Sequence, residues 1–552
     1  MVCMLLQSCG GRAGSGVRFD ADAVAAADAI TETLIRDVVN EIAADSYAGR
    51  APGTGGDRAT RKYLAARMAE LGFEPGAAGG FWDQPFALVG INTRQPARWG
   101  FARGGATRAF DQGEDYIVVS GRQAPVTSIE AAELVFVGYG IEAPEYGWDD
   151  FAGVDLNGKV LLMLNNDPDW DAELFAGNER LYYGRWSYKY ESALRQGAAG
   201  AIVIHTDASA GYPWQVVQTS WTGEQFQLPS DDQGLQAQAW MTEEAARELV
   251  EFAGFDLDAL VDSARRREFA PVPLNVSTSI RLETALTRTE SANVIGVLHG
   301  SDSRLANEFV IYTAHHDHLG VAADMASGDG IYNGARDNAS GVGIVLSIGA
   351  AFAALKTPPR RSIMLLFVGA EEQGLLGSQY YASYPTVAPG RIAANINYDS
   401  GNIWGRTRDI TFVGLGKSSL DRVAEAVAEH ENRELKPDQF PDRGYYYRSD
   451  QFSFAQIGVP AFYFRAGTDF VGQLPGWGEQ QLNAYEEQHY HQPSDEISAA
   501  WNFEGMVDDA RFGFLAGWVV ADQDRIPNWN PGDEFEAARQ AAIAELDELS
   551  AR

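Results

Sequence analysis

Cysteine is almost absent from this chain of 552 residues, because Cys3 and Cys9 both lie within the first ten positions. The rest of the sequence therefore offers neither disulfide bridges nor thiol ligands and nucleophiles. Basic residues are also few, since 43 lysines and arginines stand against 76 acidic residues and leave a formal net charge of −33. Phosphate backbones are bound through basic patches, so this balance argues against a nucleic-acid partner. The sequence has no run of 18 or more apolar residues, so no transmembrane helix is expected.

The N-terminal residues have the character of a leader rather than of a folded domain. LQSC followed by GGRAGSG is typical of a bacterial lipoprotein cleavage site with a flexible tether, although MVCMLLQSC is too short for a secretory signal. We predict that residues 1–17 are a leader or tether whose signal is truncated, with Cys9 as the lipid-anchored residue. The expected location is the cell envelope, the periplasm or the exterior. The alternative is an unstructured cytoplasmic N-terminus.

Histidines are scarce and concentrated, because five of the eight lie in two short motifs. The apolar run IYTA ends in HHDHLG, which carries His315 and Asp317. The second motif is EQHYHQPSDE, which carries His489 and His491. Histidines scattered over a surface would not cluster in this way. A histidine and carboxylate set without cysteine suits zinc or a similar divalent ion with open coordination positions.

Carboxylates at the ends of other predicted strands complete this set. SIMLLFVGAEEQGLLGS indicates a buried strand that ends in Glu371 and Glu372. Adjacent side chains on an extended backbone point in different directions, so one could hold a cation while the other reaches a water on it. Asp337 lies in GARDNASG before a predicted amphipathic helix, and Asp399 ends the short strand of ANINYDSGN. Open α/β sheets place their sites at these carboxyl ends.

The distribution of apolar segments predicts an α/β fold with a largely parallel sheet flanked by helices. The length of 552 residues indicates two or more domains, and the 45% hydrophobic content is ample for packed globular folding. We predict a leader at 1–17, the N-terminal part of the main domain at 18–125, an inserted domain at 126–272, the main domain at 273–525 and an amphipathic helix at 526–552. That helix either packs on the body or makes a dimer contact, and the oligomeric state stays open.

The order of these motifs resembles the co-catalytic two-zinc aminopeptidase and glutamate carboxypeptidase family, metallopeptidase family 28. The matching motifs are HxD, GAxDNASG, EE, NxD and YHxPSD, and the resemblance extends from about residue 18 to residue 524. It implies the mostly parallel mixed sheet of the zinc exopeptidase fold. It also implies that residues 126–272 are a β-rich protease-associated domain near the mouth of the active site. The implied function is a zinc-dependent exopeptidase that hydrolyses peptides, with an aminopeptidase as the first expectation.

The resemblance also implies a role for each matching residue. It implies two zinc ions per chain, with other divalent ions as alternatives, and a water that they activate. Asp337 would bridge the ions, His315 and Asp399 would bind different ions, and Glu371 would be the general base on the water. Asp317 would orient His315. The five implied ligands are His315, Asp337, Glu372, Asp399 and His491.

Residues next to these positions carry weaker expectations. His316 and His318 are expected to line the pocket wall, because they alternate with Asp317 along a strand. The motif does not favour His489 as a ligand. Tyr490 is either an oxyanion donor or a packed aromatic residue, and Asp495 either supports the site or caps a following helix.

Two positions depart from the family pattern. Arg336 stands where a second aspartate is common before Asp337, and Gln451 replaces a histidine in RSDQFSF. Neither change removes a predicted ligand. We therefore expect the metals to be retained and the substrate contacts to differ.

The sequence leaves the activity open between several alternatives. A carboxypeptidase for acidic C-termini needs cations for the free carboxylate, and Arg336, Arg448 and Arg465 could supply them. An aminopeptidase needs free acids for the substrate amine, which Glu371 or Asp399 could supply. Glutaminyl cyclisation fits the same scaffold. An inactive receptor or binding protein is a further alternative, which the complete ligand set disfavours.

Overall fold

Four parallel strands form the centre of the fold in the computed structural model, which describes residues 19–171, 174–231, 233–322 and 328–551. Their apolar runs are buried on both faces, as expected for a parallel sheet covered by helices. This arrangement confirms the predicted α/β fold with a mostly parallel sheet flanked by helices. In spatial order the strands are Ser362–Val368, Phe309–His315, Ile392–Asn397 and Ala461–Ala466.

Further strands extend this sheet at both edges. The end of the long strand Val272–Leu298 pairs antiparallel with one edge, and Glu74–Pro75 follows it. At the other edge Asp409–Val413 pairs antiparallel and Glu434–Lys436 follows it in parallel. The helices of this part of the chain are Ala21–Ala26, Glu32–Ile42, Gly55–Glu70, Gly341–Ala354, Leu376–Ser383, Asp421–Glu431, Gln451–Gln456, Trp477–Gln488 and Glu504–Asp522.

Gly341–Ala354 is a core helix and not the amphipathic helix that the sequence suggested. It packs between the sheet and the helices Glu32–Ile42 and Glu504–Asp522, so only Ala350 and the last two residues, Ala353 and Ala354, escape burial. The segment Ala335–Ala354 is long and apolar enough to cross a membrane by length and composition, but 83% of it is buried. Burial inside the fold accounts for its apolar character.

A second sheet lies mostly within the predicted inserted region, residues 126–272, with one edge strand, Tyr116–Val119, before it. Its strands are rich in Val, Ile, Leu and Met, and they pack with their helices into cores separate from that of the main sheet. These cores also include Trp99, Phe101 and Phe110, which precede the region. The domain boundaries and the protease-associated character stay predictions. In order, the strands are Val126–Phe136, Val160–Leu164, Gly200–His205, Ala237–Thr242 and Tyr116–Val119, of which only the last is antiparallel. The helices are Trp186–Arg195, Asp207–Ala210, Trp214–Ser220, Glu243–Phe252 and Leu257–Ala264.

The strand Val272–Leu298 connects the two sheets. Along its first half buried and exposed residues alternate, and there it pairs with Val126–Phe136. It then pairs with Asp83–Arg94 and ends in the fully buried run that joins the main sheet. The change from alternation to a continuous apolar run marks the passage from a strand with one exposed face to a strand covered on both faces. The remaining strands are Arg98–Arg103, Ala106–Asp111, Glu142–Ala143, Trp148–Asp149, Glu224–Gln227, Gly320–Val321 and Ile331–Tyr332.

The C-terminal helix Glu536–Ala551 packs on the body of the molecule. Arg539 is only 1% exposed, and its guanidinium donates hydrogen bonds to the backbone carbonyls of Pro389, Ile392 and Pro527. The sequence left open whether this helix packs on the body or makes a dimer contact, and in the structure it packs on the body. The predicted leader of residues 1–17, including Cys9, lies outside the described residues.

Candidate metal centre

The predicted ligands meet at the carboxyl ends of the central strands. His315 is the last residue of its strand, Glu372 lies four residues after the end of the next strand, and Asp399 lies two residues after a third. Asp337 belongs to a short turn that precedes the buried helix Gly341–Ala354. His491 follows the helix that ends at Gln488, with positive φ. The chain thus brings together five side chains from segments that are far apart in sequence.

Asp337 lies between the two histidines. Its Oδ1 is 3.2 Å from Nε2 of His315, and its Oδ2 is 3.5 Å from Nε2 of His491. Oδ1 of Asp399 is 3.6 Å from Nε2 of His315, and Oε2 of Glu372 is 2.9 Å from Nε2 of His491. The five side chains therefore form two groups that share Asp337.

This grouping differs from the expectation that His315 and Asp399 bind different ions. The strand that ends at His315 pairs in parallel with the strand that precedes Asp399, so the two side chains leave the sheet next to each other. Glu372 instead faces His491. These side-chain neighbours follow from strand order, which the motif order along the chain does not reveal.

The donor set fits divalent cations. Nε2 of His315 and Nε2 of His491 are buried and make no hydrogen bond in the part of the chain that the structure describes, although carboxylates surround both. In a tetrahedral zinc site neighbouring ligand atoms lie about 3.3 Å apart. The histidine-to-carboxylate distances of the two groups fall on either side of that value. Imidazole and carboxylate donors without thiolate suit zinc or a similar ion.

Glu371 lies beside the His315 group, and its proton affinity differs from that of its neighbour Glu372. Its Oε2 is 3.8 Å from Nε2 of His315 and lies close enough to Asp399 to share one cation position. Burial raises the pKa of Glu371 well above its ordinary value, against the opposing effect of His315. Burial also acts to raise the pKa of Glu372, but His491 in particular lowers it to about 2. Glu371 therefore binds a proton more readily than the adjacent Glu372.

Asp317 contacts His315 through its backbone rather than its carboxylate. Nδ1 of His315 is 3.3 Å from the carbonyl oxygen of Asp317 and 3.8 Å from the carboxylate. The carboxylate instead accepts hydrogen bonds from the backbone N–H groups of Glu371 and Glu372, at 3.0 and 3.4 Å. The expected orientation of His315 by the Asp317 side chain required the strand to continue through Asp317, but the strand ends at His315. The Asp317 side chain therefore fixes the turn that carries both glutamates.

His318 and Asp495 support the ligands directly. Nδ1 of His318 is 2.6 Å from Oε1 of Glu372, so His318 is a partner of that ligand and not only part of the pocket wall. The Asp495 carboxylate accepts hydrogen bonds from the backbone N–H groups of Arg336 and Asp337 at 3.0 to 3.1 Å. Asp495 therefore holds the turn that carries Asp337, and the next helix begins only at Glu504.

The remaining motif residues, His316, His489 and Tyr490, lie around the centre. Nε2 of His316 is 3.1 Å from the carbonyl of Ala292, and Nδ1 of His489 is 2.9 Å from the hydroxyl of Ser494. The ring of Tyr490 stacks on His491 with centroids 4.0 Å apart. The Tyr490 ring thus packs on a predicted ligand, and both of its expected roles stay predictions.

Two supporting residues were not predicted from the sequence. Arg50 is fully buried and donates hydrogen bonds to carbonyls beside the centre, which links the segment before the helix Gly55–Glu70 to the His315 and Asp337 segments. Ser220, at the end of a helix in the inserted region, has its Oγ 2.7 Å from Nδ1 of His491. No local pattern signals either contact, because both join segments more than 250 residues apart. The carbonyls bound by Arg50 are those of Ile42, His316, Asn333 and Gly334.

A cavity of about 600 Å³ lies between the centre and the inserted region. Glu371, Glu372 and His491 line it on one side, and residues such as Arg185 and Trp221 of the inserted region line it on the other. This volume is within the range of small-molecule and peptide sites. The centre is therefore open to a space in which a short peptide fits.

Known proteins resemble both the sequence and the fold. Residues 293–510, which contain all the predicted ligands and Glu371, match the model of peptidase family M28. Aminopeptidase YwaD of Bacillus subtilis (strain 168) is 27% identical over 219 residues, which are 39% of this chain and 41% of that protein. The match thus spans less than half of the curated relative's length.

Solved structures cover more of the chain at lower identity. An aminopeptidase from Aneurinibacillus sp. strain AM-1 has a TM-score of 0.53 and 18% identity, covering 91% of this chain and 97% of that one. BSAP, a zinc aminopeptidase from Bacillus subtilis, has a TM-score of 0.46 and 17% identity, covering 91% and 98%. The first of these similarities shows that the two chains share a fold.

Proposed function

We propose that this chain is a zinc-dependent exopeptidase, and first of all an aminopeptidase, since residues 293–510 match the model of peptidase family M28. The observation that carries the proposal is the position of Asp337 between two histidines, each accompanied by one further carboxylate. Such an arrangement suits two cations that share one carboxylate. The substrate would be a peptide that enters through the cavity below the inserted region.

Each residue of the centre has a role in this proposal. His315 and Asp399 would hold one ion, Glu372 and His491 the other, and Asp337 both. Two bound zinc ions would polarise the scissile carbonyl and make a water acidic at neutral pH. Glu371 accepts the proton of the attacking water and delivers it to the leaving amine. The position of Glu371 supports this role, because its Oε2 lies 3.8 Å from Nε2 of His315 and beside Asp399.

The neighbouring side chains keep the two glutamates and the second histidine in position. Asp317 holds the backbone of Glu371 and Glu372, so the base and a ligand move together. With Nε2 of His491 on a cation, Nδ1 would carry the N–H and donate a hydrogen bond to Ser220 Oγ. The inserted region then contributes to the metal centre as well as to the wall of the cavity.

The test combines metal content with substrate range. We expect about two zinc ions per purified chain, and release of free amino acids from amino-acid anilides that stops on chelation and returns with zinc. Activity on N-blocked peptides alone would replace the aminopeptidase by a carboxypeptidase, and cyclisation of N-terminal glutamine would replace it by a cyclase. Failure to bind zinc under any condition would contradict the proposed function.

A further inference from the structure

Two cavities of very different size adjoin the glutamate pair of the metal centre. Glu371 and Glu372 line the cavity of about 600 Å³ below the inserted region, which we call the large cavity. The same two glutamates, with Asp337 and Asp399, line a second cavity of only about 40 Å³. An exopeptidase removes a terminal residue, so its substrate stops on one side of the scissile bond and continues on the other. The continuing chain of several residues fits only the large cavity.

The large cavity extends along the helix Leu376–Ser383, which begins four residues after Glu372. Gly374 lines the cavity before the helix begins, and Gln379 and Ser383 line it up to the last turn. With a rise of about 1.5 Å per residue, this helix covers roughly 10 Å. An extended chain advances about 3.3 Å per residue, so the helix matches about three residues of a bound peptide.

Aromatic side chains of the inserted region form another wall of the large cavity. Trp186 and Trp221 pack edge to face with ring centroids 5.0 Å apart, and both are only partly buried. Apolar side chains that stay partly exposed in a concave wall are available to an apolar ligand. We call this set of side chains the aromatic wall. It consists of Tyr182, Trp186, Tyr212, Trp221 and Phe226.

Glutamine side chains supply hydrogen-bonding groups in the same cavity. An amide group has two N–H donors and a carbonyl acceptor, so it can bind both the C=O and the N–H groups of a peptide backbone. Peptide groups that leave water need such partners. The glutamines that line the cavity are Gln225, Gln227, Gln238, Gln373, Gln379 and Gln456.

Charged side chains are few in the described walls of the large cavity. Arg448 lies beside Tyr490, next to the metal centre. Beyond these, the charged side chains among the described lining residues are Arg185 and Glu191, one of each sign. Oε1 of Glu191 accepts a hydrogen bond from the hydroxyl of Tyr182 at 2.6 Å. The part of the cavity away from the metal centre therefore suits uncharged side chains.

Two contacts hold the inserted region against the metal centre. Oγ of Ser220 lies 2.7 Å from Nδ1 of His491, and the backbone N–H of Phe226 donates a hydrogen bond to Oε1 of Gln373 at 2.9 Å. Gln373 directly follows Glu372 in the chain. The aromatic wall is thus attached to the segments that carry two predicted ligands, as expected for a preformed binding site.

We propose that the large cavity binds about three residues of the peptide that follow the scissile bond, and that it favours apolar side chains there. The proposal rests on the proposed exopeptidase function and names its substrate class. That class is oligopeptides of at least about four residues with apolar residues after the first one. The helix Leu376–Ser383 sets the length, and the aromatic wall sets the preference.

The first experiment varies the length of the peptide. Alanine peptides of two to six residues are used, all with an amidated C-terminus so that the terminal charge is absent. We expect kcat/KM to rise by at least about tenfold from two to four residues, because more apolar surface is buried, and then to stay level. Equal kcat/KM for all lengths would overturn the proposal and leave the exopeptidase function intact.

A variant at the end of the helix tests whether the cavity sets this length. Ser383→Trp fills the cavity there and should remove most of the gain between two and four residues, at unchanged zinc content. Tyr384→Trp is the matched control, because Tyr384 is the next residue, is 64% exposed and does not line the cavity. An undiminished gain in Ser383→Trp would overturn the assignment of the cavity.

The second experiment varies the side chains. The substrates are Ala-X-X-Ala amides in which X is leucine or asparagine, two residues of similar shape. Successive side chains of an extended peptide point to opposite sides, so one of the two X side chains faces the aromatic wall. We expect kcat/KM to be at least about tenfold higher for the leucine peptide. Equal values would overturn the proposed preference.

Trp186 is the residue of the aromatic wall whose replacement tests the origin of this preference. Trp186→Ala should bring the ratio of leucine to asparagine peptide close to one, whereas Trp186→Phe should keep it, both at unchanged zinc content. Trp214→Ala is the matched control, because Trp214 is also a partly buried residue of the inserted region but does not line the cavity. An undiminished ratio in Trp186→Ala, or an equal loss in Trp214→Ala, would overturn the role of the wall.

A binding measurement decides the question if none of these peptides is cleaved, a result that would count against the proposed function itself. Calorimetry on the zinc-loaded protein then uses the same Ala-X-X-Ala amides with the first peptide bond reduced to a secondary amine, which cannot be hydrolysed. Tighter binding of the leucine peptide, lost in Trp186→Ala, would support the large cavity as an apolar peptide site. Equal affinities, or no binding, would overturn it.

Discussion

Glu371 and Glu372 are neighbours in the chain with opposite surroundings. Glu372 faces His491 and His318, which keep it ionised, whereas Glu371 is buried close to Asp399 and binds a proton more readily. The turn after the strand separates the two side chains, and Asp317 fixes that turn. A ligand and a base can therefore be adjacent residues without sharing a function.

Replacing Glu371 by glutamine tests this division of roles. The variant should keep both zinc ions, because Glu371 is not one of the proposed ligands, and should lose about a hundredfold to ten-thousandfold in kcat, the usual contribution of a general base. Zinc analysis and kinetics on an anilide measure the two effects. Glu372→Gln is the matched control, which should lose zinc. Loss of zinc from the Glu371 variant would make Glu371 a ligand.

Ser220 is expected to affect metal affinity from outside the main domain. Ser220→Ala removes the acceptor for His491 Nδ1, and partners of metal-binding histidines typically contribute about tenfold to a hundredfold in affinity. We expect weaker binding of one of the two ions, measured by competition with a chelator. Thr219→Ala is the control, because the Thr219 hydroxyl bonds only to carbonyls of its own helix. Equal zinc affinities for the two variants would show that Ser220 is only a packing residue.

At the scale of secondary-structure elements, the sequence predicted the strands and residues that a local pattern defines. The parallel strands were recognisable as short apolar runs, and each ligand was recognisable because it follows such a run. Asp409–Val413 was missed because its apolar stretch is too short to stand out. The contacts of Asp317 and His318 differ from those expected because the strand ends at His315, a boundary that periodicity does not fix. The contact between Ser220 and His491 depends on how two distant segments pack, which no local pattern encodes.

The C-terminal helix offers a prediction at the same scale. Arg539→Met removes the donors to three buried carbonyls, so the free energy of unfolding should fall by about 3 kcal/mol, each lost partner costing roughly 1 kcal/mol or more. Thermal unfolding of the zinc-loaded protein measures the change. Gln540→Ala, on the exposed face of the same helix, should change stability by no more than about 0.5 kcal/mol. Equal melting temperatures for the two variants would show that the helix contributes little to the fold.

At the scale of the whole molecule, some of the acidic residues that outnumber the basic ones are buried at the metal centre. Asp337, Glu371, Glu372 and Asp399 lie within a few ångströms of two histidines, and burial raises the pKa of the nearby Asp317 and Asp450 to about 7. Buried carboxylates repel one another unless protons or cations neutralise them. Stability of the entire chain should therefore depend on the metal ions.

Removal of the metal tests that dependence. A ligand that binds only the folded state adds about 2.7 kcal/mol at a concentration one hundred times its dissociation constant, so chelation should lower the melting temperature and zinc should restore it. Glu371→Gln should retain this zinc-dependent shift, because Glu371 is not one of the proposed ligands. Asp337→Ala should lose most of it, since Asp337 serves both cation positions. A melting temperature that is the same with zinc and with chelator would mean that the buried carboxylates are neutralised by protons alone, and the two-metal assignment would fail.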